Sequence, residues 1–177
     1  AECRPADLGG HHLPPAADDG WAARAGKSIL TTRPDPLTYA TYLKVDELLE
    51  LQQPLSDGPE HDEMLFIVIH QVYELWFKQL LHEAGRLQRL LEAGSGLSAL
   101  GSLKRILTIL KVLVSQIDIL ETMTPLEFLT FRDRLESGSG FQSFQFREFE
   151  FALGHKQPAA LERYPAGSVH RARLERR

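Results

Sequence analysis

Two side chains stand where their chemistry is out of place, and both sit among apolar neighbours. His70 falls inside an aromatic stripe. At 100° per residue, Phe66, His70, Tyr73 and Phe77 lie within about 60° of one another on one helix face. A histidine there is either a core imidazole satisfied by one hydrogen bond or the wall of an apolar pocket. In the second case it can accept a proton or a hydrogen bond near neutral pH. Glu74 follows four residues on, but two donors without a third make a poor metal site.

Arg132 is the second. With Phe128 placed at 0°, Leu135 falls near about −20°, Phe131 near about −60° and Arg132 near about 40°, in the middle of the apolar arc. Arg134, Glu127, Thr130 and Asp133 take the opposite side. A buried guanidinium without a partner is costly. Arg132 therefore calls for a salt bridge, with Glu121 or Glu150, or for a ligand carboxylate that its planar fork binds bidentately. The run Gly138-Ser-Gly-Phe-Gln-Ser143 beside it offers backbone amides and hydroxyls to the same ligand, although Gly-Ser runs also serve as plain linkers. Tyr39, Tyr42 and Leu43 share a face further upstream, a spacing that by itself indicates packing.

These residues need helices to position them. The spacing predicts a helix over 38–53, capped by Thr38 and stopped by Pro54. A long second helix starts at Pro59 or Asp62 and runs to Ala93, acid-rich at its start and closed by Gly94 and Gly96. A third, over 97–121, is apolar round most of its circumference and is expected to be buried on several sides. Thr124-Pro-Leu-Glu127 reads as a capping box with proline at the first helical position, opening a fourth helix that ends near Glu136. Ser137–Gly140 is read as a flexible loop, a fifth helix covers 141–153, a short one lies between Pro158 and Pro165, and the tail begins another. No two-residue alternation is sustained, so almost no strand is expected. Residues 1–36 carry no apolar period and read as a flexible arm ahead of a helical domain over 37–177.

Composition narrows the function classes. The chain has 177 residues, a net charge of −4 and one cysteine, Cys3. That excludes an internal disulfide and a cysteine metal cluster, suits a cytoplasmic setting and argues against a nucleic-acid binder. No apolar run reaches the ~18 residues of a membrane helix. Phosphate-binding glycine loops, Gly-x-Ser-x-Gly and His-Glu-x-x-His are absent.

Taken in order, Leu37-Thr-Tyr-Ala-Thr-Tyr-Leu43, Asp62-Glu-Met-Leu-Phe-Ile-Val-Ile-His-Gln71, Glu74-Leu-Trp-Phe-Lys78, Glu121-Thr-Met-Thr-Pro125, Phe131-Arg-Asp133 and Ser139-Gly-Phe-Gln-Ser143 closely resemble the tryptophan 2,3-dioxygenase family. The resemblance implies an all-α helical bundle of the tryptophan/indoleamine dioxygenase type. It implies a homotetramer, a dimer of dimers, that binds haem b and inserts dioxygen across the indole C2–C3 bond of L-tryptophan to give N-formylkynurenine. Phe66, Ile67, Val68, Ile69 and His70 would line the substrate side of the haem, His70 accepting a hydrogen bond from the indole N–H as the catalytic residue. Arg132 would hold the substrate carboxylate beside Phe128, which replaces a tyrosine found in some members. Tyr39, Tyr42 and Leu43 would enter a neighbouring subunit's pocket, and Ser139, Gly140, Phe141 and Ser143 would lie over substrate and haem.

The family's iron-ligating histidine belongs to a region that nothing here matches, so the expected metal ligand in this chain is none. The chain is expected to be an N-terminal portion that stops before that ligand. Two alternatives stand beside this reading: a truncated, haem-free helical oligomerisation module, and a dioxygenase for another indole substrate in secondary metabolism.

Overall fold

The computed structural model describes residues 37–58, 60–136 and 138–177, with the side chain of Phe141 excepted. The arm expected over residues 1–36 lies outside the described residues. The chain divides into two units between Tyr39 and Ala40, and the packed helices belong to the second, 40–177.

Among the described residues the elements are α-helices and short 3-10 turns, with no strand. They run α1 (Tyr39–Leu43), α2 (Val45–Leu49), α3 (Asp62–Glu92), α4 (Gly96–Leu120), α5 (Pro125–Arg132), α6 (Phe144–Ala152), α7 (Pro158–Glu162) and α8 (Val169–Glu175). The single first helix expected over 38–53 is broken in two. Lys44 sits in the left-handed region at φ 54, and its carbonyl then accepts from Leu48 N at 2.9 Å, which starts α2. A lysine in that conformation carries a steric cost that no local sequence signal announces.

Helix α3 is the spine, 31 residues and so about 46 Å long. It packs along α4, and α6 lies against it. Leu80, Ile106, Ile109, Leu113 and Phe149 form the core between these helices, with Tyr73, Trp76 and Phe77 packed against it. Each such aliphatic side chain contributes roughly 1.5–3 kcal/mol on burial. Polar links fix the register of α3 on α4. Tyr73 Oη donates to Leu113 O at 2.6 Å, and Arg105 pairs with the buried Glu83 at 2.9 Å.

Helix α4 does not meet the expectation of burial on several sides. Ile106, Ile109 and Leu113 face α3, whereas Leu100, Leu103, Leu107, Val114 and Ile117 are exposed. Within 40–177 its substantial packing is with α3.

The capping box at the start of α5 forms as its residues require: Thr124 Oγ1 accepts from Glu127 N, and Glu127 accepts from Thr124 N at 2.7 Å. The helix is shorter than expected. It gives way to a 3-10 turn, Asp133–Leu135, after Arg132. Helix α6 starts later than expected because Ser143, not Phe141, caps it through Phe146 N at 3.1 Å. A second cluster of Phe151, Ala160 and Leu174 binds α7 and α8 to α6. The buried Glu148 holds α8 through Arg173 and, at 2.8 Å, Arg177.

Candidate active site

Phe66 and His70 stand one turn apart on α3, rings 4.1 Å between centroids, and both face a cavity of ≈ 860 Å³. That volume lies in the range of about 300–1,000 Å³ typical of small-molecule and cofactor sites. The aromatic stripe supplies one wall, since Tyr73 and Phe77 also line it. Phe144, at the start of α6, and Leu55, in the segment before α3, add apolar surface. The opposite side is the turn after α5, with Leu135, Glu136, Gly138, Ser139 and Gly140.

The hydrogen bond of His70 sets its chemistry. Nδ1 lies 2.7 Å from the carbonyl oxygen of Phe66. A carbonyl only accepts, so Nδ1 carries the proton and donates. In the neutral ring Nε2 is then the acceptor. That atom faces Gly140: a Cβ built on this glycine would lie 3.1 Å from Nε2. The loop backbone therefore comes close to the imidazole because residue 140 has no side chain.

The α3 side of the cavity is braced by polar side chains on the same helix. Glu63, 1% exposed and two turns before His70, accepts from Leu55 N at 2.7 Å and Ser56 N at 3.0 Å. Burial would raise its carboxyl, but the hydrogen bonds from Ser56 and Leu55 and the charge of Arg134 outweigh it and hold it below its ordinary value. Gln71 donates to Leu51 O at 3.0 Å, so the segment carrying Leu55 is tied to α3 at two places. Beside the cavity, Gln145 Nε2 donates to Glu74 Oε2 at 2.7 Å, joining α6 to α3.

The remaining expected site residues fall in different places. Ile69 is buried and Val68 is exposed; neither they nor Ile67 line the cavity. Phe128 and the buried Phe131 stand behind Phe66, with ring centroids 5.8 and 5.6 Å from it. Arg132 is half-buried and is not part of the wall; its Nη1 donates to the carbonyl of Glu136, a wall residue, at 2.9 Å. The salt-bridge reading with Glu150 does not hold, since Glu150 pairs with Arg147 at 2.5 Å. Ser139, Gly140 and Ser143 line the cavity, and the side chain of Phe141 lies outside the described structure. Tyr39, Tyr42 and Leu43 are exposed on α1.

Helical spacing missed Arg134 and Glu136. The wheel set Arg134 on the side away from the apolar arc, yet it lines the cavity. The α-helix ends at Arg132 and a 3-10 turn follows, so the angles of a continuous α-helix no longer hold for Arg134, and Glu136, at φ 48, then takes the chain out of the helix. A positive φ at a non-glycine residue leaves no mark in the sequence. Among the described residues no group of three or more His, Cys, Asp or Glu side chains is placed to hold a metal ion, and no helix is long and apolar enough to cross a membrane.

Residues 26–166 match the family model described as tryptophan 2,3-dioxygenase. The chain is 64% identical over 141 residues to a protein of that name from Herpetosiphon aurantiacus, covering 80% of this chain and 54% of the relative. It is 57% identical over 138 residues to that of Anaeromyxobacter sp. strain K (78% and 51%) and 56% identical over 146 residues to that of a Nocardioides species (80% and 55%). The chain thus spans about half the length of the curated relatives it matches.

Proposed function

The chain belongs to the tryptophan 2,3-dioxygenase family, and on that premise we propose that it supplies the substrate-binding half of a site at which dioxygen opens the indole C2–C3 bond of L-tryptophan to give N-formylkynurenine. The observation that carries the reading is the pairing of Phe66 with a His70 whose Nδ1 is committed to the Phe66 carbonyl, leaving Nε2 an acceptor at the edge of an apolar cavity. An indole needs a flat apolar slot and one acceptor for its N–H. Phe66 and His70 offer both within one helical turn. Arg132 carries the substrate carboxylate in this reading. It stands one hydrogen bond from the wall, and a carboxylate competes with the neutral Glu136 carbonyl for its fork with the advantage of full charge.

Haem b is the cofactor this reading requires. The residues present fit one face of it: Phe77, Leu135 and Phe144 give an apolar lining suited to a porphyrin plane, and Ser139 and Gly140 border the same space. No described residue is assigned as the iron ligand. The cavity's imidazole has Nδ1 bonded to Phe66 O, and in this reading its Nε2 serves the indole N–H. When bound, the haem supplies the oxygen chemistry, and the protein orients the substrate against it. His70 holds the indole N–H, Phe66 fixes the ring plane, and the turn after α5 excludes water from the side opposite α3.

A homotetramer in the cytoplasm completes the proposal. The self-association is supported by Tyr42, 69% exposed, and Leu43, 46% exposed, on a helix that has no buried residue of its own. The function is tested with a full-length, haem-loaded enzyme containing this sequence, given L-tryptophan under oxygen. N-formylkynurenine is expected; haem stably bound with no product from L-tryptophan overturns the proposal. A panel of other indoles run beside it identifies an enzyme whose substrate is a different one.

A further inference from the structure

The two arginines at the end of α5 are in different situations. Arg132 has one guanidinium N–H engaged by Glu136 O at 2.9 Å. Arg134, two residues on, is an exposed side chain that lines the cavity and makes no hydrogen bond or close ion pair with any described residue. Its electrostatic interaction is with Glu63. Both oxygens of that carboxylate are already taken by Leu55 N and Ser56 N. Glu63 therefore acts on Arg134 through space and leaves its five N–H donors unspent.

Arg134 is also the one Lys or Arg among the described residues that line the cavity. Its companions on the wall include two acids. Glu74 is bound to Gln145, and Glu136 is adjacent to the loop. A cavity with an aromatic floor, an imidazole acceptor and a guanidinium at its border is set up for a flat ring bearing a carboxylate. An arginine on open surface has its donors satisfied by water on every side. Here one side of an otherwise exposed guanidinium borders the cavity, on the 3-10 turn Asp133–Leu135 that follows α5.

We propose that Arg134 binds a carboxylate at the mouth of the cavity, as a second anion contact separate from Arg132. The inference rests on the function proposed above and names two sources of that carboxylate: the α-carboxylate of the amino-acid substrate, or a propionate of the cofactor. The planar fork serves either by two parallel N–H···O bonds, which a lysine ammonium reproduces only as a point charge.

The test uses Arg134→Gln and Arg134→Lys in the full-length, haem-loaded enzyme containing this sequence. L-tryptophan is compared with tryptamine, which has the same ring and no carboxylate. Substrate Kd is read from the change in the haem spectrum, KM and kcat from turnover, and haem retention from transfer to an excess of apomyoglobin. For the substrate source, Arg134→Gln raises Kd and KM for L-tryptophan by about tenfold or more, with kcat little changed, tryptamine binding unaffected and partial recovery in Arg134→Lys. For the cofactor source, haem transfer accelerates in Arg134→Gln. Unchanged L-tryptophan binding together with unchanged haem retention overturns the proposal, and so does an equal loss of tryptamine and tryptophan binding with haem retained. A parent enzyme that binds L-tryptophan but yields no N-formylkynurenine defeats the proposed function without touching this one, which is read from binding.

Discussion

A methyl group on Gly140 would stand 3.1 Å from Nε2 of His70. The imidazole has little freedom to give way, because Nδ1 is bonded to the Phe66 carbonyl at 2.7 Å and the ring leans on Phe66. Residue 140 thus helps to decide whether the acceptor atom can be reached. Gly140→Ala is expected to lower kcat/KM for L-tryptophan by about ten- to a hundredfold through displacement of the imidazole or the loop, with the fold retained. Steady-state kinetics beside a circular dichroism spectrum check this; a fully active variant would show that the loop moves aside at no cost.

Removing the acceptor itself separates the indole N–H from the rest of the substrate. His70→Phe keeps a ring beside Phe66 and loses Nε2. Its expected effect is a loss of about five- to tenfold in kcat/KM for L-tryptophan, the size of one net hydrogen bond. For 1-methyltryptophan, which has no indole N–H, binding should change little. Equal losses with both substrates would assign His70 to packing alone.

Arg132→Ala is expected to raise the KM for L-tryptophan strongly, because a buried or half-buried charged hydrogen bond to a carboxylate is worth about 1.5–3 kcal/mol. The same change releases the Glu136 carbonyl, which Arg132 holds at 2.9 Å. Arg132→Lys therefore makes a useful companion, since it keeps the charge without the fork. An unchanged KM in Arg132→Ala would mean that the guanidinium serves only the turn after α5.

Glu63 predicts a pH dependence of stability. Its carboxyl is held below the ordinary value of 4.5 in the fold, so the bonds it makes to Leu55 and Ser56 contribute fully above that value and are lost as pH falls through the lower, folded one. Glu63→Gln should destabilise the chain by about 1–2 kcal/mol at neutral pH. The difference between the two proteins should shrink toward zero as the pH is taken well below 4.5. Thermal midpoints across that range measure it, and a difference independent of pH would place the effect in packing rather than in the carboxylate.

Local patterns carried the helical architecture. The Phe66-His70-Tyr73-Phe77 stripe predicted the helix and the shared face, while leaving His70 open as either a core imidazole or a pocket wall; the structure puts that face on the cavity. Thr124-Pro-Leu-Glu127 predicted a cap that forms as expected. These features were legible because each depends on residues three or four apart, whose relative positions a helix sets by itself. The motifs that resemble the dioxygenase family were legible in the same way, as types at fixed spacing. The break of the first helix at Lys44, the α-to-3-10 change after Arg132 and the reversal at Glu136 were not, because non-glycine residues carry no signal for a positive φ.

The long helices α3 and α4, the Thr124 cap, the aromatic stripe with its histidine and the family motifs were set by the sequence, since each is a pattern of residue types at fixed spacing along the chain. Which arginine reaches the cavity, the closing of Gly140 on Nε2 and the holding of Leu55 in the wall by Glu63 were decided only in three dimensions. Each of those depends on where one segment lands against another 8 to 70 residues away. Helical periodicity specifies the angle at which a side chain leaves its own axis, whereas the cavity is defined by turns whose direction is set by packing against α3.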